Sequence, residues 1–200
     1  MGLRTGRLSA NLSGRGSAKS LQIYAPSLLN LPQGSPLVMA TLPVIDWNDC
    51  LLQALRTGSD GRQDNAYAAM VMVDPFACWE DLADLLQERG LSGVINFPPA
   101  SVVEQATAAG TIDAGQEMEF RRLEWFGSLG FRTIFAASTN HVIAVAQDRL
   151  KTSLDAIVYV SPAALEVLIR DEIELTTAHG SLAADQSPSF PVYELRAPEA

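Results

Sequence analysis

Residues 67–98 constrain this chain more than any other stretch. An apolar run ends in Asp74-Pro75-Phe76, an amphipathic segment closes at Gly90, and a second apolar run ends in Asn96-Phe97-Pro98. Two apolar runs joined by a segment of helical period are the pattern of a parallel βαβ unit. In α/β folds ligands bind at the carboxyl ends of parallel strands, and both runs deliver a polar residue there. The stretch therefore predicts a site together with a fold.

The alternation continues along the chain. Strands are expected at 21–25, 68–73, 93–97, 133–137 and 156–160, with a weaker sixth at 191–195. Runs this continuously apolar suit strands covered on both faces. Helix signals fall between them: Asp46 before a helix ending at Gly58, Asp74 with Pro75 before one ending at Gly90, and Ser161 before Pro162. From Trp79 to Arg89, residues Trp79, Leu82, Leu85 and Leu86 share a stripe while Glu80, Asp81 and Asp84 lie off it, as in a helix laid on a sheet. A short helical piece is expected at 101–109 and a long loop at 178–191. The organisation that follows is a Gly/Ser/Arg-rich lead-in over 1–20, a body over 21–177, and a loop and tail over 178–200. The lead-in reads either as a transit peptide or as a flexible loop with a short helix.

Composition narrows the function classes. With 200 residues and 48% hydrophobic content the chain can bury a sizeable core. A formal charge of −9 opposes binding to nucleic acid or an anionic membrane surface, which needs clustered Lys and Arg. Charges and prolines interrupt every apolar run well short of the roughly 18 residues that cross a bilayer. Cys50 and Cys78, without CxxC spacing, suit reduced thiols rather than a zinc site or disulfide framework. A soluble, cytoplasmic protein with a small-molecule substrate or ligand is the expectation.

The segment opening near Ala114 adds charged candidates. On a helical wheel Met118, Leu123, Trp125, Phe126 and Leu129 define an apolar arc, and Glu119 and Arg122 fall inside it. Their i to i+3 spacing allows a pair, either a structural ion pair or a carboxylate held at the mouth of a site by its arginine. Asp74 reads as a helix cap or a catalytic acid, and Asn96 as a turn former or a donor to a ligand's carboxylate or enolate-like oxygen. Glu117 reads as a complement to the helix dipole or a further acid. Asp74 and Glu117, if they converge, supply the hard oxygen ligands that Mg²⁺ takes. The candidate catalytic set is therefore Asp74, Glu117 and Glu119, with Asn96 and Arg122 binding substrate. His141 and His179 lie on separate elements, which disfavours a histidine metal site, and no GxSxG elbow is present.

The segments MVMVDPFACWEDLADLLQERGLSGVINFPP (70–99) and EMEFRRLEWFGSLGFRT (117–133) resemble the phosphoenolpyruvate hydrolase-like family, also called TIM-barrel signal transduction proteins. Leu42-Pro43, Asp46 to Asn48, Ile23-Tyr24 and Leu8-Ser9-Ala10 resemble its upstream motifs more loosely, and Glu117, Glu119 and Arg122 fall on its EVEMIR motif. The resemblance implies a (β/α)8 barrel related to phosphoenolpyruvate mutase and isocitrate lyase, which act on 2-oxo acids and enol phosphates with Mg²⁺. The family's first strand would precede residue 1, and residues 159–162 replace a Gly-rich motif. A shortened or incomplete barrel is thus expected, its open edges covered by homo-oligomerisation, with a doubly wound open parallel sheet as the alternative fold. The implied function is a metal-dependent hydrolase or lyase; the alternative is a non-catalytic ligand-sensing or protein-interaction barrel.

Overall fold

In a computed structural model, which describes residues 5–12, 20–58, 65–103, 113–178 and 190–196, eight strands close on themselves. They are β1 (Thr5–Ser9), β2 (Leu21–Tyr24), β3 (Ala66–Met70), β4 (Gly93–Asn96), β5 (Arg132–Ala137), β6 (Leu154–Tyr159), β7 (Glu172–Thr177) and β8 (Val192–Arg196). Their order around the barrel is β1-β2-β3-β4-β5-β6-β8-β7. Every pairing is parallel except those of β7, which runs antiparallel to both β1 and β8.

Closure corrects two expectations, the incomplete barrel and the open doubly wound sheet. The first strand lies within the residues read as a lead-in, and β8 answers to the weaker strand expected at 191–195, within the loop and tail. The reversed strand β7 completes the ring. Along β7 Ile173 and Leu175 are buried while Glu172 and Glu174 are exposed, the alternation of a strand with one wet face. Arg7 of β1 reaches Glu172 at 3.4 Å on that outer face. A closed sheet has no free edge, so the reason advanced for a covering second copy is removed.

The helices are α1 (Trp47–Thr57), α2 (Trp79–Glu88), α3 (Ala100–Val103), α4 (Ala114–Ser128) and α5 (Asn140–Arg149). Asp46 caps α1 by accepting the Asp49 N–H at 2.8 Å, and Gly58 follows the helix as expected. Asp74, by contrast, does not cap α2, which begins only at Trp79; its carboxylate accepts the Phe76 N–H at 2.8 Å in a tight local turn. Ser161 caps a 3-10 helix at Pro162–Glu166, and His141 lies in the first turn of α5.

The inward arc of α4 is offset from the expected one. Glu119, Phe120, Leu123 and Phe126 are buried, whereas Met118 and Leu129 are 45% and 42% exposed. Phe120 stacks on Phe135 of β5 at 4.6 Å between centroids and sets that rotation. Of the expected helical piece at 101–109, residues 101–103 fall in α3 and the remainder lies outside the described residues, as do 13–19 of the lead-in and 179–189 of the loop.

Two apolar layers result. One fills the barrel with Leu8, Ile23, Ile95, Ile134, Val158 and Ile173, and the other packs Met70, Leu82, Leu86, Phe120 and Phe126 between strands and helices. Inside the amino-terminal mouth the Tyr67 hydroxyl donates to Asp155, which Arg132 also grips through Nε at 3.0 Å. At the opposite end, 3-10 helices at Pro26–Asn30 and Leu37–Thr41 share the inner layer through Leu28, Leu37 and Ala40, and Pro36 bridges to Leu168. Among the described residues no helix is long and apolar enough to cross a membrane.

Candidate functional site

The chain leaves β3 through Val71-Met72-Val73 and reaches Asp74 at the carboxyl rim. What fixes this course is Asn48, buried in the first turn of α1. Its Nδ2 donates to the Val71 carbonyl and to Asp74 Oδ2, both at 2.9 Å, and its Oδ1 accepts the Val71 N–H at 3.1 Å. Asp46 places Asn48 by starting α1 one residue ahead of Trp47. The Asp74 carboxylate thus takes one donor on each oxygen, from Asn48 and from Phe76, and keeps lone pairs for a ligand.

Two hollows meet at Asp46 and Asp74. The smaller, about 130 Å³, also touches Asn48, Asp49, Phe76 and Cys78. The larger, about 450 Å³, is walled by Ala40, Leu42, Pro43, Ile45, Trp47, Val71, Val73 and Pro98, with Thr41. A volume of about 450 Å³ falls in the usual range for small-molecule sites, and so does a mostly apolar wall with a few polar groups. Asp46 and Asp74 are its charged groups; the described residues lining it include no Lys, Arg or His. Trp47 is 4% exposed, packs edge-on against Phe97 at 6.1 Å, and its indole N–H has no hydrogen-bond partner.

Asn96 stands at the carboxyl end of the adjacent strand, yet its amide serves the sheet. Nδ2 donates to the Ala136 carbonyl at 3.1 Å and Oδ1 accepts the Ala136 N–H at 2.7 Å, with the side chain fully buried. Paired residues between β4 and β5 end at Ile95 and Ile134, and the Asn96 side chain carries the pairing one step further. Of the two strand-end residues, Asp74 lines the hollow and Asn96 does not; Pro98, just beyond, does.

The candidates of α4 separate from one another. Glu119, 1% exposed, accepts the Ala100 N–H at the start of α3 at 2.8 Å. Arg122 instead lies 4.1 Å over the Trp79 ring of α2. Partial burial there lowers its pKa, against the opposing pull of Glu80. The expected pair is thus resolved into two different partners, because Glu119 sits at the centre of the buried arc and Arg122 at its edge. Glu117 faces α5, bonded to Arg149 at 2.6 Å and to Arg121 at 2.9 Å. Arg149 first, then Arg121, holds the Glu117 carboxyl below its ordinary range. Arg149 also grips Glu124 at 2.8 Å.

Glu117 lines neither hollow beside Asp74, so these two do not form the shared cation site expected of them. Among the described residues no group of three or more His, Cys, Asp or Glu is placed to hold a metal ion. Among the residues that share the hollow with Asp74, Asp46 and Trp47 are legible in the sequence as a helix start and, with Leu42-Pro43, as a loose match to an upstream motif, but not as part of a site.

Fold and site together define a closed α/β barrel with a ligand-sized hollow at the carboxyl ends of its parallel strands. Neither a scan against protein-family models nor a search of curated proteins found a match to the chain. The family resemblance accordingly stands on the motifs at 70–99 and 117–133.

Proposed function

We propose that this protein is a small-molecule-binding variant of the (β/α)8 barrel, with the ligand seated in the larger hollow beside Asp74. The observation that carries this reading is the orientation of Asp74, fixed by Asn48 and the Phe76 N–H, at the wall of an apolar hollow of about 450 Å³. A preset polar group on an apolar wall lowers the ordering cost of binding. The test is thermal melting against a panel of amines, 2-oxo acids and enol phosphates, with and without Mg²⁺. A ligand at about a hundred times its Kd contributes about 2.7 kcal/mol, which for a chain of this size raises Tm by about 5–10 °C. Val73→Phe, which fills the hollow, abolishes that shift. A panel without any shift, or one whose shift survives Val73→Phe, overturns the reading.

A catalytic form of the same reading is a Mg²⁺-dependent hydrolase or lyase of 2-oxo acids or enol phosphates, as the motif resemblance implies. The observation in its favour is that the DPF segment brings Asp74 to the rim of the hollow. It expects turnover that is lost in Asp74→Asn. It also expects an anion to bind only when Mg²⁺ is present, because the described lining offers an anion no cationic side chain.

A further inference from the structure

We propose that the carboxyl end of the barrel is a self-association face, through which two copies of this chain pair about a two-fold axis. The reason is separate from sheet edges, which closure has removed, and from whatever the hollow holds. Six of the eight large apolar side chains that stand exposed among the described residues lie in segments leaving the parallel strands β2, β3 and β6, and so share one end of the molecule. They are Leu29, Val38, Leu42, Val44, Phe76 and Leu168. Hydrogen bonds tie the three segments together. The Leu37 N–H donates to the Val167 carbonyl at 2.7 Å, Pro36 bridges to Leu168, and Asn48 holds the turn that carries Phe76. A surface fixed in this way loses little freedom on association.

Residues 37–45, LVMATLPVI, are apolar on both sides. Leu37 and Ala40 are buried in the inner layer of the barrel, while Val38, Leu42 and Val44 are exposed. Thr41, the one polar residue among them, turns its hydroxyl onto the Val38 carbonyl at 2.8 Å. A surface segment ordinarily keeps a polar face for water, and one that is apolar all round is covered on both sides. Phe76 stands 88% exposed on a turn set by Asp74, which suits an aromatic anchor at an interface.

Charge selects a second copy as the cover. The chain carries −9, so two copies repel wherever acidic faces meet. A two-fold contact sets a face against itself and is open to a face that lacks charge. From Ser20 to Ile45 the chain has no Asp, Glu, Lys or Arg. Beside Leu168, Glu166 and Arg170 are opposite in sign and add no net charge. Asp46, Asp49 and Asp74 border the apolar strip, and an apolar centre inside a wet, charged rim is the ordinary anatomy of an interface.

Sedimentation equilibrium on the full chain, from about 1 to 200 μM, is expected to show a monomer-dimer equilibrium. Because like-charged copies join through an uncharged face, the dimer should tighten severalfold between about 20 and 300 mM NaCl. Val38→Glu and Val44→Glu, at positions lining neither hollow, should each weaken the dimer at least tenfold, and Phe76→Ser should do the same. Leu129→Glu, similarly exposed at the opposite end of the barrel, should leave it unchanged. Circular dichroism below each melting transition checks that the variants are folded, and ligand-induced melting shifts measured on Val44→Glu report on the hollow independently. A chain that stays monomeric throughout overturns the proposal and leaves this face to another protein. A dimer indifferent to all three substitutions at the carboxyl end, or one that weakens with salt, overturns it as well. So does an assembly that grows beyond two copies, since a two-fold contact closes.

Discussion

Asn48 Nδ2 lies 2.9 Å from Asp74 Oδ2 while the same amide bonds the N–H and the carbonyl of Val71. One side chain on α1 therefore determines where the chain goes after β3 and how Asp74 faces the hollow. Asn48→Ala leaves the Val71 N–H without its partner and its carbonyl with only the Asp74 N–H at 3.3 Å, and is expected to cost about 1–3 kcal/mol in urea unfolding. It also frees Asp74, so ligand affinity should fall at least tenfold. Leu51→Ala, on the same helix and fully buried, should cost about 2–5 kcal/mol but leave the affinity of the folded protein intact. Equal affinity in the Asn48→Ala and wild-type proteins would rule out a positioning role for Asn48.

Asn96 does for β4 and β5 what Asn48 does for α1 and β3, but away from the hollow. Asn96→Ala removes a donor and an acceptor from Ala136 inside the barrel wall. A loss of about 2–3 kcal/mol is expected, with no change in ligand affinity measured below the unfolding transition. A large affinity loss at unchanged stability would make Asn96 a ligand contact instead.

Gly93 is required by its neighbours. A Cβ at this position would lie 2.1 Å from the Arg132 carbonyl oxygen and 2.8 Å from Tyr67 Cδ1. The first of these is backbone of the paired strand β5, which cannot turn aside as a side chain can. Gly93→Ala is expected to destabilise by about 3 kcal/mol, read from the urea midpoint. Adding Tyr67→Leu to give the ring's space back should recover little of it, since the backbone contact remains.

These residues also explain what the sequence made legible. Asp46 and Gly58 frame α1 by local chemistry, and the apolar runs at β3 to β6 announce buried parallel strands; both signals are contained in a few consecutive residues. Strand β1 was obscured because Arg7 and its Gly/Ser surroundings look like a lead-in, and the outer face that makes Arg7 tolerable is paired with Glu172 at the far end of the chain. Strand β7 carried a clear alternation at 172–177, EIELTT, masked by the expectation of parallel strands throughout. The rule that strand ends face ligands singles out Asp74, which lines the hollow at the end of β3. The roles of Asn96 and Glu117 were not legible, because Ala136 lies 40 positions from Asn96 and Arg149 lies 32 positions from Glu117. Spacing along a helix cannot reveal a partner on another one.

The cluster at the amino-terminal mouth gives the protein opposite pH dependences at its acid and alkaline limits. Burial raises the Asp155 pKa, but hydrogen bonds from Arg132 and Tyr67 outweigh it and hold the carboxyl below the ordinary aspartate value. The unfolded chain therefore takes up this proton at a higher pH than the folded one. The stabilisation is complete above the ordinary aspartate value and is lost as pH falls through the lower, folded value. Glu117 acts in the same sense, so Asp155→Asn should flatten only part of the acid limb of a stability profile. Tyr67 works the other way: burial first, and then its bond to Asp155, pushes the phenol far above its ordinary value. Its contribution is complete below the ordinary tyrosine value and is lost as pH rises above it, with buried Tyr24 raised in the same direction. Tyr67→Phe should accordingly reduce the alkaline decline without removing it. Urea unfolding across pH checks both limbs. An acid slope identical in wild type and Asp155→Asn would show that the cluster is not a source of the linkage.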